Sequence, residues 1–321
     1  MSTRSVGRVL RIVAGTYQVD VDDRTLSCVL GGRVKQGAGD RVAVGDRVEV
    51  ETVDGGEGRI TTLLPRSSRL ARKSVAGQRE QVIAANVDQM AAVFALARPE
   101  PDLRMLDRLL TLAGLNQLSA FVVVNKMDLV GETGDETGRD GDGPPEAPDG
   151  RVPPAFRLYA RAGYDVLPTS VPTAGGIDAL ERRLADRTTV FAGPSGTGKS
   201  SLLNALVPDL DRRVGDVSER AGRGRHTTVN ATLVPLPGGG HVADTPGLQV
   251  LELWEMPPEA VARAFREFRP HLGTCRFNDC RHDHEPGCAV KAAVEGGEIA
   301  GSRYESYLAL VREAEEQRRT W

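Results

Sequence analysis

Four groups of residues in this chain of 321 carry chemistry in their types and spacing. Gly193-Pro194-Ser195-Gly196-Thr197-Gly198-Lys199-Ser200 stands between the apolar run TTVFA and the helical run SLLNAL. That is the strand-loop-helix setting in which G-x4-G-K-[ST] holds phosphate. Glycines let the loop wrap an anion with its own N–H groups, and the helix start adds a positive dipole end. Lys199 would then reach the β- and γ-phosphates, serving binding and catalysis together. Ser200, with Ser201 beside it in the binding set, supplies a hydroxyl to Mg²⁺. About fifty residues on, the apolar HVA runs into Asp244-Thr245-Pro246-Gly247, a strand-end carboxylate and turn suited to a Mg²⁺ partner. Asn125-Lys126-Met127-Asp128 follows the apolar Phe121 to Val124 and offers a carboxylate able to accept both N1–H and the exocyclic amine of guanine; adenine lacks that donor pair. Ser170, ending DVLPTS, is placed to offer a backbone N–H to guanine O6.

The last group is Cys275-x4-Cys280-x-His282-x5-Cys288. Three thiolates and one imidazole close a tetrahedral structural Zn²⁺ site without an open position for water, and His284 is an alternative fourth ligand. Such a site stiffens a small helical domain rather than catalysing, because metal binding supplies its folding energy.

Where a phosphate loop serves nucleotide hydrolysis, a Gln after the Asp-x-x-Gly turn can orient the attacking water, a role that only a polar side chain can fill. Leu248 stands there instead, so hydrolysis is expected to be slow until another group is delivered. Gly222-Arg223-Gly224-Arg225-His226-Thr227-Thr228 is the natural source, with Thr227 or Thr228 reaching Mg²⁺ and Gln249 one residue late for the role.

The elements that must position these groups change along the chain. From Gly7 to Leu64, short alternating runs separated by Gly and Asp turns predict a small antiparallel barrel. Cys28 falls in one of its apolar strands as core. A polar, basic stretch follows, with no acid between Ile60 and Arg79. From about Ile83 to Gly247, strands alternate with helices, which implies a mostly parallel sheet covered on both faces. Beyond it, Pro258 to Phe268 and Ser302 to Gln317 read as helices flanking the Cys/His cluster. The expected division is a barrel over 1–66, a basic linker over 67–82, a nucleotide domain over 83–249, and a zinc-binding helical domain over 250–321. Within the nucleotide domain, Gly131 to Gly150 carries seven acids against one Arg and predicts a disordered insertion over 131–155.

Net charge is -3, yet residues 1–86 hold fourteen Lys/Arg against ten Asp/Glu, so polyanions are plausible partners at that end. Arg66, Arg69, Arg72 and Lys73 are the candidate contacts there, or a solvated linker. No run approaches the ~18 apolar residues of a membrane span, and the opening residues lack a secretory signal. A cytoplasmic monomer without a membrane partner is the expectation.

Asn125 precedes Gly193 by 68 residues, the reverse of the usual order of phosphate and base motifs. That arrangement resembles the circularly permuted GTPases. With the N-terminal barrel, NKMD, GPSGTGKSS, RGRHTT, DTPG and the C-terminal Cys/His cluster in that order, it is similar to the bacterial ribosome small-subunit-dependent GTPase A family. The resemblance implies an OB-fold barrel, GTP hydrolysis coupled to late maturation of the small ribosomal subunit, and ribosomal RNA as the surface bound. It also implies that His226 is the catalytic histidine and that His282 is the fourth zinc ligand. GTP or GDP with Mg²⁺, and one structural Zn²⁺, are the implied cofactors. Two alternatives stay open: a nucleotide-gated RNA-binding scaffold with incidental turnover, and an ATP-using P-loop kinase or ATPase.

Overall fold

The computed structural model describes residues 4–22, 24–32, 34, 41–53, 57–73, 80–132, 152–208, 210, 231–244 and 258–319. Its strands are β1 (Arg4–Val13), β2 (Thr16–Val21), β3 (Arg24–Leu30), β4 (Arg47–Val53), β5 (Glu57–Leu63), β6 (Arg69–Lys73), β7 (Glu80–Ala85), β8 (Gln89–Ala95), β9 (Ser119–Asn125), β10 (Val166–Pro168), β11 (Thr188–Ala192), β12 (Thr232–Pro235) and β13 (His241–Asp244). The helices are α1 (Leu103–Leu115), α2 (Arg157–Arg161), α3 (Ile177–Leu184), α4 (Lys199–Leu206), α5 (Pro258–Ala264), α6 (Ala289–Glu295) and α7 (Gly301–Arg319). They fall into two compact units, one of Met1–Gln89, Glu181–Phe191 and Ser200–Glu252, the other of Met90–Leu180, Ala192–Lys199 and Leu253–Trp321.

In the first unit, β1 to β5 close a barrel in the order β1-β2-β3-β5-β4. All neighbours are antiparallel except β3 and β5, which run parallel. Alternation along each strand turns Val9, Val19, Val21, Val48, Val50 and Ile60 inward around Cys28. Cys28 is fully buried as core, and burial pushes its thiol up to about 11. Gly58 faces it from β5, where a Cβ would stand 2.4 Å from Cys28 Sγ and 2.9 Å from Val50 Cγ1. A Gly58→Ala chain is therefore expected to lose about 1–3 kcal/mol in urea unfolding, recovered in part by adding Cys28→Ala.

The segment read as a basic linker contains an antiparallel pair, β6 with β7. Its ends are tied down: Asn86 Nδ2 donates to Gly45 O at 3.0 Å and Ser67 N–H to Asn86 Oδ1 at 2.9 Å. Arg66 forks onto the buried Asp46 at 2.6 and 2.8 Å. The same unit carries β11, β13 and β12 in that order, β11 parallel and β12 antiparallel to the middle strand. Burial, then the charge of Arg8, holds the His241 imidazole down at about 4, so it is neutral at physiological pH.

In the second unit, β10-β9-β8 are neighbours in that order. β8 is buried at every position and β9 from its second residue onward, as strands covered on both faces require. Asp102 caps α1 by accepting the Met105 N–H at 3.0 Å. The helix expected over 258–268 breaks at Phe265, whose extended backbone ends α5 and leads into a 3-10 turn over Arg266–His271. That turn buries Phe265 and Phe268 together, with ring centroids 5.1 Å apart, and contains Pro270, which cannot donate to a continuing helix. Among the described residues no helix is long and apolar enough to cross a membrane.

Candidate nucleotide and metal sites

Strand β11 delivers the chain to Gly193, where φ is 146° and a Cβ would lie 2.1 Å from Val93 O. Gly196 and Gly198 follow with φ of 80° and 92°. A loop stripped of side chains in this way leaves its backbone to meet an anion, and α4 begins at once with Lys199 and Ser200. Ser195, Gly196, Ser200 and Ser201 are exposed, whereas Thr197 is buried with its hydroxyl on Pro194 O at 3.1 Å. Lys199 Nζ donates to Gly193 O at 2.8 Å and Pro194 O at 2.7 Å, which keeps the ammonium at the loop.

The base motif meets the phosphate loop directly. Asn125, 2% exposed at the end of β9, donates from Nδ2 to Thr197 O at 3.0 Å and accepts the Thr169 hydroxyl on Oδ1 at 3.2 Å. Gly198 is glycine for the same reason, since a Cβ there would stand 2.3 Å from Asn125 Nδ2. A Gly198→Ala variant is expected to bind GDP about 10- to 100-fold more weakly, measured with a fluorescent GDP. Lys126, with φ of 62°, donates to the Arg98 carbonyl, and the Met127 N–H donates to Thr169 O at 3.1 Å. Asp128 is exposed and accepts the Ser170 hydroxyl on Oδ1 at 2.7 Å.

Ser170 differs from expectation in which of its atoms is available. Its N–H is already donated to Gly175 O at 2.9 Å in an isolated bridge, and it is the hydroxyl that reaches Asp128. Thr169 was not singled out from the sequence. Its signal is positional: it is the polar residue after β10, beside the strand that ends in Asn125. Thr169→Val leaves the buried Asn125 Oδ1 short of a donor and is expected to weaken GDP binding about tenfold by calorimetry.

Asp244 ends β13, paired in register with Phe191 and Thr232, which places its backbone one strand from the one that feeds the phosphate loop. Gly247, Leu248 and Gln249, and Arg223, Arg225, His226, Thr227 and Thr228, lie outside the described residues, as does the acidic stretch over 133–151.

Near the C-terminus, Cys275, Cys280, His282 and Cys288 bring their ligand atoms within 4.8 Å of one another. Cys275 and Cys288 sulfurs are 4.0 Å apart, close to the ~3.8 Å edge of a tetrahedron with 2.3 Å metal–sulfur bonds. His282 Nδ1 stands 3.5 and 3.3 Å from the same two sulfurs. Burial pushes the Cys280 thiol up to about 12, the strain that a bound cation relieves by taking thiolate. Ala289 N–H points at Cys275 Sγ from 3.4 Å, a donor suited to a thiolate. His284 is outside the cluster, with its side chain 82% exposed. The arrangement is compatible with a zinc ion. Edge-on contacts from Phe268 and hydrogen bonds from Tyr304 and Tyr307 to His282 O and Arg281 O, both 2.6 Å, hold the knuckle from outside.

A phosphate loop locked to an N-K-x-D asparagine that precedes it in sequence defines a P-loop GTPase of permuted motif order. Residues 63–254 match the model of the RsgA GTPases. The chain is 44% identical to the small ribosomal subunit biogenesis GTPase RsgA of Gemmatimonas aurantiaca, over 97% of each chain, and 46% identical to that of Moorella thermoacetica, over 96% of each. Its fold is similar to the crystal structure of YjeQ from Thermotoga maritima, at 33% identity and TM-score 0.75, covering 97% of this chain and 99% of that one. It is also similar to YloQ, a circularly permuted GTPase, at 28% identity and TM-score 0.73, covering 98% and 96%. The chain belongs to the RsgA GTPase family and is a GTP hydrolase.

Proposed function

We propose that this chain hydrolyses GTP with Mg²⁺ in late maturation of the small ribosomal subunit, as a cytoplasmic monomer whose barrel contacts ribosomal RNA. The observation that carries the nucleotide part is the contact of Asn125 with Thr197 and Gly198, which makes base recognition and phosphate binding one piece of structure. Lys199 and Ser200 serve the β- and γ-phosphates and Mg²⁺, with Asp244 the second Mg²⁺ partner. Gly193 to Ser201 cradle phosphate, and Asn125 to Asp128 with Ser170 hold guanine. His226 is the proposed catalytic group, delivered with Thr227 and Thr228, because Leu248 cannot orient water and Gly247 ends the turn that senses the γ-phosphate. Cys275, Cys280, His282 and Cys288 hold one structural Zn²⁺. RNA binding is supported by the excess of basic over acidic residues across 1–86 and by the closed barrel, a shape whose face and loops commonly take nucleic acid.

The test is phosphate release from GTP and from ATP, with and without small ribosomal subunits. Slow GTP turnover that rises manyfold only with the small subunit is the expected result, and His226→Ala removes the rise while GDP still binds. Equal use of ATP, or indifference to the subunit, overturns the reading.

A further inference from the structure

The phosphate loop up to Lys199, the base motif and the Cys/His cluster belong to the same compact unit. A buried charged cluster links α1, α7 and the 3-10 turn over Arg266–His271. Arg303, 2% exposed in the first turn of α7, donates from Nη1 to Asp107 Oδ1 on α1 at 2.6 Å. From Nε and Nη2 it forks onto Glu267 Oε1 and Oε2 at 2.6 and 3.2 Å. The Phe265 ring lies 4.4 Å from the guanidinium, and the Tyr159 hydroxyl donates to the same Asp107 oxygen at 2.6 Å. One cation thus serves two carboxylates away from water, and withdrawing it strands both.

Each end of this cluster leads to a site. The next residues of α7, Tyr304 and Tyr307, donate to the knuckle carbonyls of His282 and Arg281. Helix α1 starts just after Arg98, whose carbonyl accepts from Lys126 of the base motif. Pro99 Cδ lies 3.5 Å from where a Cβ of Gly196 would stand. Arg108 and Glu313 bind α1 to α7 a second time, with two bonds of 2.7 Å.

We propose that Arg303 is a positioning residue through which the metal-bound knuckle sustains guanine-nucleotide affinity, so that Zn²⁺ and GDP bind with positive coupling. The knuckle has two states, folded with metal and unfolded without it. Unfolding takes the acceptors from Tyr304 and Tyr307, loosens the first turns of α7 and draws Arg303 off Asp107. Helix α1, and with it the Arg98–Asp102 segment, then loses one of its two ties to α7. The proposal rests on the reading of the two sites as guanine-nucleotide and zinc sites.

The experiment uses the full zinc-loaded chain and fluorescent GDP, before and after stripping the metal with a tight chelator. Zinc release to a chromophoric chelator is followed in parallel, with and without GDP. Stripping is expected to weaken GDP binding about tenfold, and GDP to tighten zinc by the same factor, because coupling is reciprocal. Arg303→Lys keeps the charge but cannot fork onto Glu267 while reaching Asp107, so it retains one zinc per chain while the coupling falls to about twofold or less. A purely structural Arg303 would instead lower the melting temperature and leave the coupling of the folded variant intact, which overturns the proposal. Equal GDP affinity with and without zinc in the wild-type chain overturns it too, with no variant needed. If GDP binds no better than ADP, it is the nucleotide reading that fails.

Discussion

Asp128→Asn lowers GDP affinity by about 100- to 1,000-fold and shifts preference to xanthosine diphosphate. In the proposed guanine site the carboxylate accepts two hydrogen bonds from the base, each charge-assisted and so about 1.5–3 kcal/mol, and every 1.4 kcal/mol is about tenfold in affinity. The Ser170 hydroxyl donates to Oδ1 at 2.7 Å and fixes the plane of the group. In the variant an amide nitrogen takes the place of an acceptor oxygen and meets the guanine amine donor to donor. Xanthine carries a carbonyl at that ring position, which accepts what guanine repels. Competition of both diphosphates against a fluorescent GDP analogue measures the swap. Unchanged preference would mean that the base is held elsewhere than at Asp128.

Cys288→Ser, or removal of the proposed zinc from the wild-type chain, is expected to unfold the knuckle. A structural zinc contributes on the order of 10–16 kcal/mol of apparent binding energy, comparable with the whole stability of a small domain. The knuckle has little else to replace it: Arg276, Phe277, Asn278 and Asp279 are all exposed, and of the apolar side chains in the loop only Cys288 is buried. Trypsin should then cut after Arg276 and Arg281, both exposed, and the near-ultraviolet signal of Tyr304 and Tyr307 should collapse. Metal content by mass spectrometry reads the first event and limited proteolysis the second. A metal-free chain as resistant as the native one would contradict the assignment.

Motifs whose chemistry depends on backbone shape were legible in the sequence. Gly193, Gly196 and Gly198 signal a loop that tolerates no Cβ, and alternation in β1 to β5 signals a barrel with Cys28 inside. Less legible was structure carried by partners far apart in sequence. Of the β6–β7 pair, β6 lies in a polar, basic stretch with no apolar alternation, and its pairing with the apolar β7 is held where Asn86, Ser67 and Arg66 tie it to Gly45 and Asp46. Helix α6 is seven residues, too short for a periodic signal. Phe265 looked like one more helical apolar residue, and only its packing against Phe268 and Tyr307 explains the break. Thr169 supports Asn125 from 44 residues away, and Arg303 meets Asp107 from 196 away. No local pattern announces either pair.

Cys28, sealed in the barrel with its thiol pushed up to about 11, gives the molecule a built-in reference for chemical labelling. A mild alkylating reagent finds almost no thiolate there and no path to it. Of the four cysteines, only the three in the knuckle can then report, and metal decides whether they do. With zinc in the proposed site, labels per native chain count empty knuckles directly, running from none to three as the ion is lost, while a fourth label marks opening of the barrel itself. One mass spectrum of an alkylated cell extract would separate loss of metal from loss of fold.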